Sequence, residues 1–241
     1  MTEPMALPPT ALRRATTGGA GETSLRQQAY DRIEDLLNWG RLRPGQIISQ
    51  RELVELTGGT LGSVREAIPR FEAEGLLQTL PQRGIMVPSL DVSFVREAYQ
   101  MRRLIELGMV PDLCERLDRA TVTGWIRWHE AAQDRLTDES AGDQAEFLRD
   151  FQLFDWDMHG QMVEAMDNKL ISNVYRVTAI KIRMAAQSRV RVTRQNATRV
   201  IREHLDFLRP LLEGRAEAVT AALSFHINQS LTLALGGSVR G

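Results

Sequence analysis

Apolar positions recur at helical spacing along most of the chain, and that spacing lapses in one short stretch. From Ser24, the positions Leu25, Ala29, Ile33, Leu36 and Leu37 predict a helix that stops near Gly40, before an Arg43-Pro44-Gly45 turn. Ser49, with Glu52 three residues later, is a capping-box pattern opening a second short helix, which Gly58-Gly59 closes. Thr60 caps a third helix with the stripe Val64, Ile68 and Phe71, and Gly75 is its stop. Two short helices across a glycine turn predict a helix-turn-helix. The runs LLQTL and GIMV, joined by Pro81-Gln82-Arg83-Gly84, then carry hairpin chemistry with a basic tip.

From Asp91 onward the helical period returns and no convincing strand remains. Breaks are expected near Pro111, Thr121 to Gly124, Thr137 to Gly142, Asn168, Arg191 to Thr193 and Gly214. The fold class is therefore mainly α. An N-terminal winged helix-turn-helix with a small β-hairpin wing precedes an all-α antiparallel bundle of about six or seven helices. The first 23 residues, rich in Pro, Thr, Gly and Ala, lack periodicity and read as a disordered arm. The expected organisation is an arm at 1–23, a winged helix at 24–90, a helical domain at 91–235 and a tail at 236–241.

Composition narrows the setting. The 241 residues include one cysteine, Cys114, which excludes an intramolecular disulfide or a thiolate cluster and suits a reducing compartment. No window is apolar enough to span a bilayer and no signal peptide opens the chain, so a cytoplasmic protein without a membrane partner is expected. The net charge of −1 argues against a basic nucleic-acid coat, yet arginine supplies nearly all the positive charge, since Lys169 and Lys181 are the only lysines. Residues 24–90 carry eight arginines and eight acidic residues, so DNA binding there would depend on local arrangement and on contacts doubled in a dimer.

One stretch stands out for its chemistry. FDWDMHG sets Asp155 and His159 four residues apart, on a segment striped with Phe147, Phe151, Phe154, Met158 and Met162. An ionised carboxylate on such a face needs a partner. Arg102 or Arg183 is one solution; a metal is the other, because residues four apart share a helix side and can hold one ion. His204 and His226 also fall on apolar stripes, where a lone histidine is ordinarily a hydrogen-bonded core residue. His129, beside Trp125 and Trp128, is assigned a surface or structural role outside the site.

The block from Ser49 to Val87 resembles the DNA-binding domain of the GntR family of bacterial transcription regulators. The matching pieces are Val64-Arg65-Glu66-Ala67-Ile68 in the recognition helix, Glu72-Ala73-Glu74-Gly75-Leu76, and Pro81-Gln82-Arg83-Gly84 in the wing. The resemblance implies that double-stranded DNA is read by Arg51, Leu61, Ser63, Arg65 and Arg83, with Ser49, Thr60 and Gly84 near the phosphates. Leu61 stands where the family usually has arginine, and Pro69 lies within the helix, so the base-reading code departs from the common one.

Residues from about Asp91 to Leu235 resemble the FCD domain, the ligand-binding half of the FadR branch of that family. The features are Asp155-x-x-x-His159, the turn Ala165-Met166-Asp167-Asn168, Glu203-His204 and His226. Metal-binding members use an aspartate and three histidines at these places, so the resemblance implies a divalent transition metal on Asp155, His159, His204 and His226. Zn²⁺ comes first for that donor set, with Mn²⁺ and Ni²⁺ as alternatives. Arg102, Arg183 and Asn168 are the candidate effector contacts, although Arg102 has an equal alternative as a helical pair with Glu106. The implied function is that of a homodimeric repressor on a pseudo-palindromic operator, released by a small organic acid. An all-α metalloenzyme acting on such an acid is the competing class, and a purely structural metal is a third.

Overall fold

A computed structural model describes residues 24–89, 91–138, 144–189 and 193–239. The expected N-terminal arm lies outside the described residues, as do most of the Thr137 to Gly142 break and the start of the one at Arg191. The helices are α1 (Leu25–Asn38), α2 (Gln50–Thr57), α3 (Leu61–Ala73), α4 (Val92–Gly108), α5 (Val110–Arg116), α6 (Arg119–Thr137), α7 (Gln144–Glu164), α8 (Lys169–Arg189), α9 (Arg194–Leu212) and α10 (Ala216–Ala234). Three short strands, β1 (Ile47–Ile48), β2 (Gln78–Leu80) and β3 (Gly84–Met86), complete the described chain. The fold is mainly α with a small antiparallel wing, as the periodicity predicts. No described helix is long and apolar enough to cross a membrane.

The described chain divides into two compact units, one of residues 24–98 and 177–189, the other of 99–176 and 193–239. The first is the winged helix. Its core joins Tyr30, Ile33 and Leu37 of α1 to Leu53 of α2 and to Val64, Ile68 and Phe71 of α3, with Tyr30 stacked on Phe71 at 4.4 Å. Both short helices begin as their caps dictate. Ser49 Oγ accepts from the Glu52 amide at 3.1 Å while Glu52 Oε2 accepts from the Ser49 amide at 2.8 Å. At α3 the pair is Thr60 and Ser63, each hydroxyl accepting from the other's amide. Helix α3 runs through Pro69, which sits on its exposed side. Ile180 and Met184 of α8 enter the same core.

The wing holds one strand more than the sequence pattern shows. The sheet order is β1-β3-β2, all antiparallel, with Ile48 and Thr79 flanking Ile85 in register. Two residues are too few for an alternating pattern, so β1 becomes visible only when it pairs. Gly84 makes that pairing possible: its φ is +117°, and a Cβ there would lie 2.7 Å from the Ile48 carbonyl oxygen.

In the second unit, α9 turns at Gly214, where φ is +73°, into α10, and α9 packs on both α10 and α6. The break expected at Thr121 to Gly124 is absent. The chain breaks earlier, because the Asp118 carboxylate accepts from the Thr121 amide at 3.2 Å and caps α6, which then runs through Gly124 without interruption. A good cap outweighs a modest propensity penalty. Replacing Gly84 by Ala should lower stability by about 1–3 kcal/mol through strain and the Ile48 contact, read as a shifted urea midpoint with little change in helical circular dichroism.

Candidate functional site

Asp155 and His159 on α7, His204 on α9 and His226 on α10 converge so that one donor atom of each lies within 4.8 Å of the others. The surroundings decide which nitrogen of each ring faces inward. His226 Nδ1 lies 2.9 Å from Glu203 Oε2, and a carboxylate can only accept, so this nitrogen carries the hydrogen. His159 Nδ1 is 2.9 Å from Glu106 Oε2, close but off the line of a well-aligned hydrogen bond. His204 Nδ1 is 2.8 Å from His129 Nε2, and His129 Nδ1 is 2.7 Å from the Trp125 carbonyl oxygen. A carbonyl also only accepts. His129 therefore carries its hydrogen on Nδ1, and its Nε2 receives the hydrogen of His204 Nδ1.

The three inward nitrogens are then lone pairs. His204 Nε2 stands 3.2 Å and His159 Nε2 3.6 Å from Asp155 Oδ1. Asp155 Oδ1 and His204 Nε2 are both buried without a hydrogen-bond partner. Two acceptors facing each other with no proton between them are a place for a cation, and the set of three imidazoles and one carboxylate fits a divalent transition metal.

Burial keeps His129, His204 and His226 neutral. It pushes His204 down to about 3, against the opposing pull of Asp155, and pushes His129 down to about 3 with His204 adding to the effect. His226 lies well below its ordinary value, through burial first and then the Arg102 charge. For Asp155, burial opposes ionisation, and what favours the carboxylate is positive charge or a hydrogen at its inward oxygen, the place a cation would take. The same balance holds at Glu106, where Arg102 and then His159 overcome burial.

Arg102, 8% exposed, forms the helical pair with Glu106 and also reaches the histidine cluster. Its Nε donates to Glu106 Oε1 at 2.6 Å, and its Nη2 donates to His159 Nε2 at 3.0 Å. Arg183 belongs to the winged-helix unit, where its Nη1 donates to Asn38 Oδ1 at 3.0 Å. Asn168 Oδ1 accepts from the Leu170 and Ile171 amides and so caps α8. Of the two roles allowed for His129, the surface one is corrected by its full burial, and its ring bonds His204. Glu106 and Glu203 also went unassigned as ring-orienting groups. The spacing Arg102-x-x-x-Glu106 and Arg199-x-x-x-Glu203 was the available signal, since both are buried i,i+4 pairs.

In the winged-helix unit Arg51, Arg65 and Arg83 are exposed, and Leu61 is 44% exposed at the start of α3. Arg65 Nε donates to Gln50 Oε1 at 2.8 Å. Ser63 is buried, its hydroxyl bonded back to the Thr60 carbonyl at 2.9 Å.

A recognition helix with a wing, joined in sequence to a helical domain around a candidate cation centre, defines a class of ligand-responsive DNA-binding protein. Residues 25–87 match the family of bacterial regulatory proteins named gntR, and residues 97–229 match the FCD domain. The chain belongs to the GntR family of bacterial transcriptional regulators, in its FCD-containing form, and not to an enzyme family. It is 32% identical over 110 residues to an HTH-type regulator in an unstable DNA locus of Streptomyces ambofaciens, a match covering 46% of each chain. It is 24% identical over 224 residues to the HTH-type regulator BphR of Paraburkholderia xenovorans, covering 89% of this chain and 86% of that one. The chain thus spans about half of the first relative and most of the second. The structure of E. coli McbR/YncC has the same fold, with a TM-score of 0.71, 18% identity and coverage of 88% and 97%.

The Arg102–Glu106 pair supplies a direct check. Glu106→Ala leaves the Arg102 charge buried without its carboxylate and should cost about 3–5 kcal/mol in chemical denaturation.

Proposed function

We propose that the chain is a cytoplasmic repressor that binds a pseudo-palindromic operator as a homodimer and is released by a small carboxylate bound near a metal in the helical domain. The observation that carries this reading is the set of four inward-facing acceptor atoms of Asp155, His159, His204 and His226 in a chain that also carries a winged helix. The four side chains would hold Zn²⁺ first, with Mn²⁺ or Ni²⁺ as alternatives, and a bound ion would supply fixed positive charge with positions open to a carboxylate oxygen. Arg102 is the chain's own candidate for that carboxylate, a buried guanidinium beside His159. Arg102 lies against the ligand cluster itself, so the effector contact is proposed for it ahead of Asn168 and Arg183.

The Tyr175 hydroxyl donates to Glu106 Oε1 at 2.7 Å, so Glu106 links Arg102 to α8 within the helical unit. An effector that disturbs Arg102 and Glu106 would release DNA only to the extent that it binds the DNA-free arrangement better.

On the DNA side, Arg65 is proposed to read a base edge, while Arg51 and Arg83 contact backbone and Leu61 can meet a thymine methyl. Ser49 and Thr60 present helix N-termini to phosphates, Ser63 shapes the second of these as its capping partner, and Gly84 lets the wing backbone approach.

With an operator selected from a random duplex pool, Arg65→Ala should cost about 1–3 kcal/mol and relax specificity at one position of each half-site. Arg83→Ala should weaken all duplexes alike. Absence of sequence-specific gel shifts at every salt concentration would remove the regulator reading. Chelation, or His204→Ala, should lower the melting temperature. In a variant that still folds and binds operator, loss of release by an organic acid found to co-purify with the native protein separates a sensing metal from a structural one.

A further inference from the structure

His204 is the one proposed ligand whose ring is not backed by a carboxylate. His159 faces Glu106 and His226 faces Glu203, and each carboxylate is neutralised by an arginine four residues earlier, Arg102 and Arg199. Behind His204 stands His129, fully buried, and behind His129 the Trp125 carbonyl of its own helix. Trp128 and Phe154 stack at 3.6 Å with planes 9° apart, and the His129 ring meets both edge-on at 5.3 and 5.4 Å. Within that packing, the two hydrogen bonds set the imidazole with Nδ1 on the carbonyl and Nε2 on His204.

We infer that His129 is a positioning residue: as a neutral acceptor it holds His204 in the Nδ1–H form and aims the lone pair of His204 Nε2 at the centre beside Asp155. A carboxylate in its place would fix the same tautomer, but it would bring a second buried negative charge beside Asp155. Here the hydrogen-bonded chain passes through an imidazole and ends on a carbonyl, so orientation is gained without charge. Partners of this kind to a metal-bound histidine are typically worth roughly 10- to 100-fold in metal affinity. The role toward a metal rests on the metal-centre reading above; the tautomer does not.

The test uses the full-length protein and two substitutions. His129→Leu keeps volume without an acceptor, and His129→Gln restores an acceptor oxygen near the former Nε2. Long-range proton–nitrogen NMR of the metal-free wild type should show His204 protonated at Nδ1. Cobalt(II) affinity, measured against a competing chelator, should fall roughly 10- to 100-fold in His129→Leu, with an altered cobalt absorption spectrum, and recover largely in His129→Gln. A wild-type His204 protonated at Nε2 overturns the inference without any variant. Wild-type cobalt affinity in a folded His129→Leu overturns the role of His129 alone, whereas no cobalt binding by the wild type overturns the metal centre with it.

Discussion

Four electron-pair donors meet inside the helical unit with no hydrogen among them beyond the one Arg102 gives His159, and the surrounding structure answers that constraint. An acceptor left unpaired in a protein interior costs about 1–3 kcal/mol, and here the acceptors also repel one another. A cation would relieve both costs and tie α7, α9 and α10 together at one point. Each ring must then keep its hydrogen on the outward nitrogen. Glu106, Glu203 and His129 face those outward nitrogens, and they come from three different helices.

Charge explains why the same device occurs twice. A carboxylate is the strongest group for holding an imidazole N–H, but an unpaired one at this depth would be unstable. Placing arginine one turn before it, as Arg102-Glu106 on α4 and Arg199-Glu203 on α9, brings each carboxylate in already neutralised. Glu106 also accepts from Tyr175, so its lone pairs serve two helices besides its own.

The periodic parts of the molecule were legible in the sequence because caps and stripes are local. Ser49 with Glu52, Thr60 before α3 and Gly214 between the last two helices act within a few residues of themselves. Asp155 and His159 were legible because one turn of helix joins them, and the drawing in of His204 and His226 came from family resemblance. His129 was not legible, since its significance depends on α6 lying against α9, which nothing near position 129 encodes. Strand β1 failed for the same reason, being defined by its partner. The break placed at Thr121 failed differently: Asp118 was the cap, and Gly124 was counted as a breaker where the helix absorbs it.

The same charges bear on what such a centre would favour. Arg102 cancels Glu106 and Arg199 cancels Glu203, while His204 and His226 are kept neutral by burial, leaving Asp155 as the unbalanced charge. A divalent cation on neutral imidazoles and one carboxylate leaves the buried site with a single positive charge. In a medium of low effective dielectric, that excess favours an anion over a neutral ligand of the same shape. One carboxylate group brings the interior to neutrality, and a second would need to reach solvent or another cation. The identity of the residues around Asp155 thus constrains the proposed effector by charge before its shape is considered.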